Sequence, residues 1–98
     1  MNPELADYIR RRSDVLERIR RMLFVSLKLQ GDPREIDPDT ALFGTGLGID
    51  SLDAVEIVVA MEIEFGISLA DPILRRSSLR SVNSLVDLVL SEGEASSV

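Results

Sequence analysis

The chain has no cysteine and no histidine, and each absence removes a class of chemistry. Without cysteine there is no disulfide and no thiolate to act as ligand or nucleophile. Without histidine, a Ser-His-Asp or Cys-His triad cannot form from this chain alone, and a zinc site built from His and Cys has no donors. No metal site of that kind is expected. Aromatic residues make up only 4% of the chain, so Leu, Ile and Val must fill the core, which favours layers of helix on helix. No stretch approaches the ~18 uninterrupted apolar residues that span a bilayer. Nor does an apolar run of signal-peptide length follow Met1-Asn2-Pro3-Glu4. These absences predict a soluble protein of the cytoplasm, a compartment that keeps thiols reduced and where disulfides are rare.

What remains is enough for one small domain. The chain has 98 residues, 45% of them hydrophobic, a thin but sufficient core. The net charge of −6 is unevenly spread. Residues 1–30 hold seven basic and four acidic side chains, a balance of +3, whereas residues 31–98 hold four and thirteen, a balance of −9. The acidic portion disfavours nucleic acid as a partner. It either keeps the surface solvated or steers basic partners.

Helical spacing dominates the chain. Asn2-Pro3 offers a cap and a first-turn proline, and Leu5, Tyr8, Ile9, Val15 or Leu16, Ile19, Met22, Leu23 and Leu27 recur at helical intervals. Arg10-Arg11-Arg12 interrupts that pattern and is read as a solvated face, because no interleaved aromatics support nucleic-acid binding. Ser13-Asp14 could cap a fresh helix, so one long helix and two shorter ones are both open. Gly31-Asp32-Pro33 is expected to end this segment. A loop to about Asp50 follows, with Ile36, Leu42, Phe43 and Leu47 expected to pin it to the bundle. Residues 51–65 form the strongest helical segment and Gly66 ends it. Asp71-Pro72 opens a short helix to about Arg76, and Ser81 caps a last one with Val82, Leu85, Val86 and Val89 on one side. The residues from Ser91 to Val98 are expected to fray. The expected fold is all-α: three main helices and one short helix in a small bundle, with a long loop between the first two main helices.

Two motifs fail on inspection. A dinucleotide fingerprint around Gly44-Thr45-Gly46-Leu47-Gly48 would need glycine where Ile49 stands, no strand precedes it, and no lysine follows as in a P-loop. A calcium loop from Asp37 would need an oxygen ligand at Ala41, a glycine at Leu42 and a glutamate at Gly48. Paired-carboxylate hydrolysis has little support either, because Glu56 and Glu62 lie about 120° apart around their helix.

The segment 51–65 carries two apolar stripes. At ~100° per residue, Ala54, Ile57, Val58, Met61 and Phe65 share one sector, the expected core face. Leu52, Val55, Val59 and Ile63 share another, nearly opposite, flanked by Asp53, Glu56, Glu62 and Glu64. Either a loop or helix covers the second stripe, or it is a docking surface where apolar contacts hold a partner and acids steer its Lys and Arg. At the start of the segment stands Ser51. It could cap the helix, stabilising it by ~1 kcal/mol. It could equally bear a phosphate ester, which the N-terminal field would favour. With no histidine to activate the hydroxyl, any reaction there needs an external enzyme.

The step Gly48-Ile49-Asp50-Ser51-Leu52 resembles the attachment motif of acyl carrier proteins. The continuation Asp53-Ala54-Val55-Glu56-Ile57, the helix end Glu62-Ile63-Glu64-Phe65-Gly66-Ile67, the loop residues Phe43 and Leu47, and Ser81-Val82 are similar to that family too. The resemblance covers about residues 14–91, dividing the chain into a helical extension (1–13), a carrier-like bundle (14–91) and a flexible tail (92–98). It implies a non-catalytic, monomeric carrier whose Ser51 bears 4′-phosphopantetheine, attached from coenzyme A by a phosphopantetheinyl transferase that binds Mg²⁺. Acyl groups would ride on the arm's thiol as thioesters, delivered to ketosynthase- or acyltransferase-type enzymes with basic patches. Asp50, Asp53, Glu56 and Glu62 match positions that meet such patches, with Leu52 and Val55 as apolar contacts and Val59 and Ile63 extending the stripe. An aminoacyl or peptidyl carrier, or an unmodified interaction module, are the alternatives. The chain departs from members serving primary fatty-acid synthesis, which are often acidic where Ile63, Thr45-Gly46 and Pro72-Ile73-Leu74-Arg75-Arg76 stand. The departures imply a specialised lipid or polyketide-like pathway.

Overall fold

A computed structural model describes residues 2–43 and 50–93. Helix α1 (Pro3–Ser26), α2 (Ser51–Phe65), α3 (Pro72–Ser78) and α4 (Val82–Leu88) form a small bundle, with a 3-10 turn at Pro33–Glu35 and a π-helical turn at Val89–Gly93 that prolongs α4. The expected all-α architecture and the long crossing between α1 and α2 are as the sequence suggests.

Asn2 caps α1, its side-chain oxygen accepting from the Glu4 N–H at 2.8 Å. The helix then runs without a break through Ser13-Asp14, so the two-helix alternative falls away. Arg12 departs from the solvated face expected of the arginine triplet. It is half-buried and reaches α4, donating to Asp87 Oδ1 at 2.7 Å and Asn83 Oδ1 at 3.0 Å. The Asp87 contact holds the Arg12 guanidinium pKa above its ordinary value. The helix also stops earlier than expected. It ends at Ser26 because Leu29 N–H turns back to Phe24 O at 3.0 Å while Lys28 takes a left-handed φ of 53°. Gly31-Asp32-Pro33 serves the following 3-10 turn instead, which Asp32 caps.

Among the described residues no aromatic side chain is fully buried, as suits a chain poor in aromatics. Ile19 and Leu23 of α1, Ile57 and Met61 of α2, and Val82, Leu85 and Val86 of α4 are fully buried. Ile67, Leu69 and Leu79 seal the connections around α3. Ala54, Val58 and Phe65 lie half-buried on the expected core face of α2. Arg18 sits over the Phe65 ring, 4.5 Å from its centre. Among the described loop anchors, Leu42 alone is fully buried. Its N–H donates to Arg80 O at 3.1 Å beside a short bridge between Ala41 and Ser81, so backbone pairing fixes which side chain enters the core. Ile36 packs against the core edge. Phe43, expected to pin the loop, stays 40% exposed, and Leu47 lies outside the described residues, as do residues 94–98 of the tail. Gly66 closes α2 in the left-handed region at φ 64°. Asp71 and Ser81 cap α3 and α4 as expected, with α3 running on to Ser78.

Candidate functional site

The start of α2 is organised by two aspartates. Asp50 Oδ1 accepts from the Asp53 N–H at 2.8 Å, and Asp53 Oδ2 accepts from the Asp50 N–H at 3.3 Å. This reciprocal box makes Asp50 the cap, not Ser51, the capping candidate of the sequence. Ser51 becomes the first helical residue. It is exposed, and its hydroxyl makes no hydrogen bond among the described residues. The N–H groups of Ser51 and Leu52 take no part in the box, and the helix field at this end favours an anion. The arrangement fits a phosphate ester on Ser51 Oγ: the oxygen is accessible, it holds nothing else in place, and the local field suits the charge. The glycine-bearing loop of residues 44–49, read as shaping the entry to the helix, lies outside the described residues.

The second apolar stripe of α2 is open. Leu52 is 76% exposed, Val55 61%, Val59 48% and Ile63 79%, and Ile73 of α3 adds another exposed apolar side chain. Among the described residues no loop or helix covers them.

The acids beside the stripe are not equivalent. Asp50 and Asp53 are engaged in the cap. Glu62 is half-buried, and its Oε2 accepts from the Leu69 N–H at 2.9 Å, tying the connection to α3 back onto α2. Glu64 pairs with Arg18 at 3.0 Å. Glu56 is exposed and makes no hydrogen bond or ion pair among the described residues. Every sequence-predicted docking residue thus lies on or beside the exposed flank of α2, but three of the four predicted acids also hold local structure.

Arg75 was not singled out as a functional residue. It lines a small pocket of about 130 Å³ with Ala54, Val55, Val58, Val59 and Leu79. Spacing gives no signal for it, because Arg76 stands beside it in the same short helix. Among the described residues no group of His, Cys, Asp or Glu could hold a metal ion, and no helix is long and apolar enough to cross a membrane.

Comparison with known proteins agrees with this geometry. The family model of the phosphopantetheine attachment site matches residues 17–89. The chain is 38% identical over 85 residues to the mitochondrial acyl carrier protein of Neurospora crassa, covering 87% of this chain and 60% of that protein. It is 34% identical over 77 residues to the acyl carrier protein of Thermosynechococcus vestitus, covering 79% of this chain and 89% of that one. It is 46% identical over 59 residues to the acyl carrier protein of Phenylobacterium zucineum, covering 60% and 71% respectively. The chain thus spans 60% of the Neurospora protein, less than two thirds, and 89% and 71% of the two bacterial ones.

Proposed function

The chain belongs to the acyl carrier protein family, whose phosphopantetheine-binding domain carries covalently attached 4′-phosphopantetheine, and from that premise we propose that Ser51 is the residue that bears it. One observation carries the reading: Asp50, paired with Asp53, caps α2 and leaves the Ser51 hydroxyl exposed and unengaged. A serine needed only as a cap would have its oxygen turned onto the helix.

The chain's own residues supply position and recognition rather than catalysis. With no histidine in the chain to take the hydroxyl proton, a phosphopantetheinyl transferase must supply the base as well as the coenzyme A. The bound arm contributes a thiol that holds an acyl group as a thioester. Partners dock on the α2 flank, where Leu52, Val55, Val59 and Ile63 give apolar contact and Asp50, Asp53, Glu56 and Glu62 give negative charge beside it. The pathway is a specialised lipid or polyketide-like one. Exposed Ile63 and Ile73, with Arg75 and Arg76 in α3, make the docking face more apolar and less acidic than a purely basic partner patch would select. The cargo is acyl rather than aminoacyl, in keeping with relatives named as acyl carriers. The protein works as a monomer in the cytoplasm, a compartment that cell fractionation would check against the mitochondrial one of some relatives.

Incubation with coenzyme A, Mg²⁺ and a broad-specificity phosphopantetheinyl transferase tests the central claim by intact mass. The protein should gain the mass of one phosphopantetheine and Ser51→Ala should gain none. No gain in the parent protein, or an equal gain in the variant, would sink the proposal.

A further inference from the structure

The exposed stripe of α2 has two unlike flanks. At about 100° per residue, Asp53 and Glu56 fall on one side of Leu52, Val55, Val59 and Ile63, with Glu64 beyond them. Ala54 and Val58 fall on the other side. There α3 closes against the helix, because Ala54, Val55, Val58 and Val59 share a small pocket with Arg75 and Leu79. The opposite side of α3 faces α4, where Leu74, Ser77 and Ser78 line a groove with Ser84, Asp87 and Leu88. The same count puts Arg76 about 60° round from Leu79, and Ile73 about 60° further. Both are exposed. Arg76 thus stands on the outer shoulder of α3 that adjoins the α2 stripe, and Ile73 continues the apolar surface there.

The other charges on the α3 side are engaged. Glu62 is half-buried, and its Oε2 accepts from the Leu69 N–H. Asp71 caps α3 by accepting from the Ile73 N–H. Arg75 is half-buried, its Nη2 donating to Ala70 O at 3.2 Å and its Nε buried without a hydrogen-bond partner among the described residues. The Arg76 side chain makes no hydrogen bond or ion pair among the described residues. Across the stripe, Glu56 is equally unengaged. One apolar surface therefore lies between a free carboxylate and a free guanidinium.

Resting on the α2 docking flank proposed above, we propose that this face selects a protein partner of split charge. The partner brings an apolar ridge with Lys or Arg along one edge, set against Glu56, and an Asp or Glu on the other edge, set against Arg76. A guanidinium cannot shed its proton to accommodate a basic neighbour. A partner that is basic on both edges brings like charges together on the α3 side, and Arg76 turns it away.

The test uses the full-length, unmodified protein and two amphipathic helical peptides of identical composition and net charge, both with a leucine face. In the split peptide, lysines line one edge of that face and glutamates the other. In the mixed peptide, the two alternate along both edges. A helix laid on the stripe exchanges its edges when it reverses direction, so the split peptide always has an orientation that meets both charges. Binding is followed by NMR titration of the Val55, Val59 and Ile73 amides. The split peptide should bind roughly fivefold more tightly at low ionic strength, and the gap should fall below about twofold in high salt. Arg76→Glu should remove the preference. If that variant proves unfolded by circular dichroism, Arg76→Gln takes its place and should weaken it. Equal affinities in the parent protein, tighter binding of the mixed peptide, or a preference undiminished in the folded variant would overturn the proposal and leave the α2 flank a docking surface. If neither peptide shifts those amides, the docking reading and this proposal fall together. Attachment at Ser51 is independent of both outcomes, because the peptides do not probe it.

Discussion

Asp50 and Ser51 divide two tasks that either side chain is chemically able to perform. Both residue types cap helices well, and in an Asp-Ser step the local sequence alone leaves the register open. The tie is broken three residues on. A cap at Asp50 places Asp53 where a carboxylate can reach back to the Asp50 N–H, whereas a cap at Ser51 would place Ala54 there, which has nothing to offer. That signal was present in the sequence and points the same way as the structure. Replacing Asp50 with Ala should therefore cost about 1 kcal/mol of stability, lowering Tm by roughly 4–8 °C in a domain of this size. Asp50→Ser should recover most of it, because serine restores the oxygen that accepts from the Asp53 N–H. Chemical denaturation of the three proteins checks this, and an Asp50→Ala protein as stable as its parent would show that the box is not what holds the first turn. Position 66 is another residue whose role was legible, since a helix end before an Ile-Ser-Leu step requires the left-handed φ that glycine adopts without strain. Arg75 was not legible, because an unpaired Nε is a property of what packs around it and leaves no trace in spacing.

Among elements, α2 was the most readable. Its two stripes follow from an angular count, and the structure buries one and exposes the other. The end of α1 was the least readable, because Lys28 rather than a glycine takes the left-handed turn. The charges on α2 were readable in kind but not in use. Glu62 bonds Leu69 N–H and Glu64 pairs with Arg18, contacts made by distant segments that no local pattern reveals. This sorting makes a prediction about recognition. Glu56, free of such ties, should carry more of the steering than Glu64. With a phosphopantetheinyl transferase as the partner, Glu56→Lys should lower the modification rate roughly tenfold at low ionic strength and far less in high salt. Glu64→Lys should change it less than about twofold. Neither substitution should shift stability by more than about 0.5–1 kcal/mol, because Glu56 is exposed and the Arg18–Glu64 pair is well solvated. Initial rates at two salt concentrations, with thermal melts as controls, separate recognition from folding. Equal losses in both variants would mean that the acids act as a diffuse field and that their local engagement is irrelevant.

Over the whole molecule, the charge asymmetry of the sequence is partly spent inside the fold. The basic first helix meets the acidic remainder through Arg12 with Asp87 and Arg18 with Glu64. The first of these contacts belongs to a joint centred on Asn83. Its Oδ1 accepts from Arg12 of α1, its Nδ2 donates to Asp39 Oδ1 of the long loop at 2.6 Å, and its backbone N–H donates to Pro38 O at 2.8 Å. One side chain at the start of α4 thus fastens both Arg12 of α1 and the loop that leads towards α2. Leu42 anchors the same loop from the apolar side a few residues later. Asn83→Ala removes the two side-chain bonds and keeps the backbone one. It should cost about 2 kcal/mol, less than two fully buried bonds of this kind would, because both are charge-assisted but partly exposed. The more telling readout is where protection is lost. Amide exchange should accelerate together in the first half of α1 and around residues 38–42, while α2 and its core contacts at Ile57 and Met61 keep their protection. Asp87→Ala, which removes only the ion pair to Arg12, should loosen α1 and spare the loop. If Asn83→Ala loosens α1 alone, or neither segment, Leu42 and the backbone bonds hold the loop without help, and the polar joint does not couple the two halves of the chain.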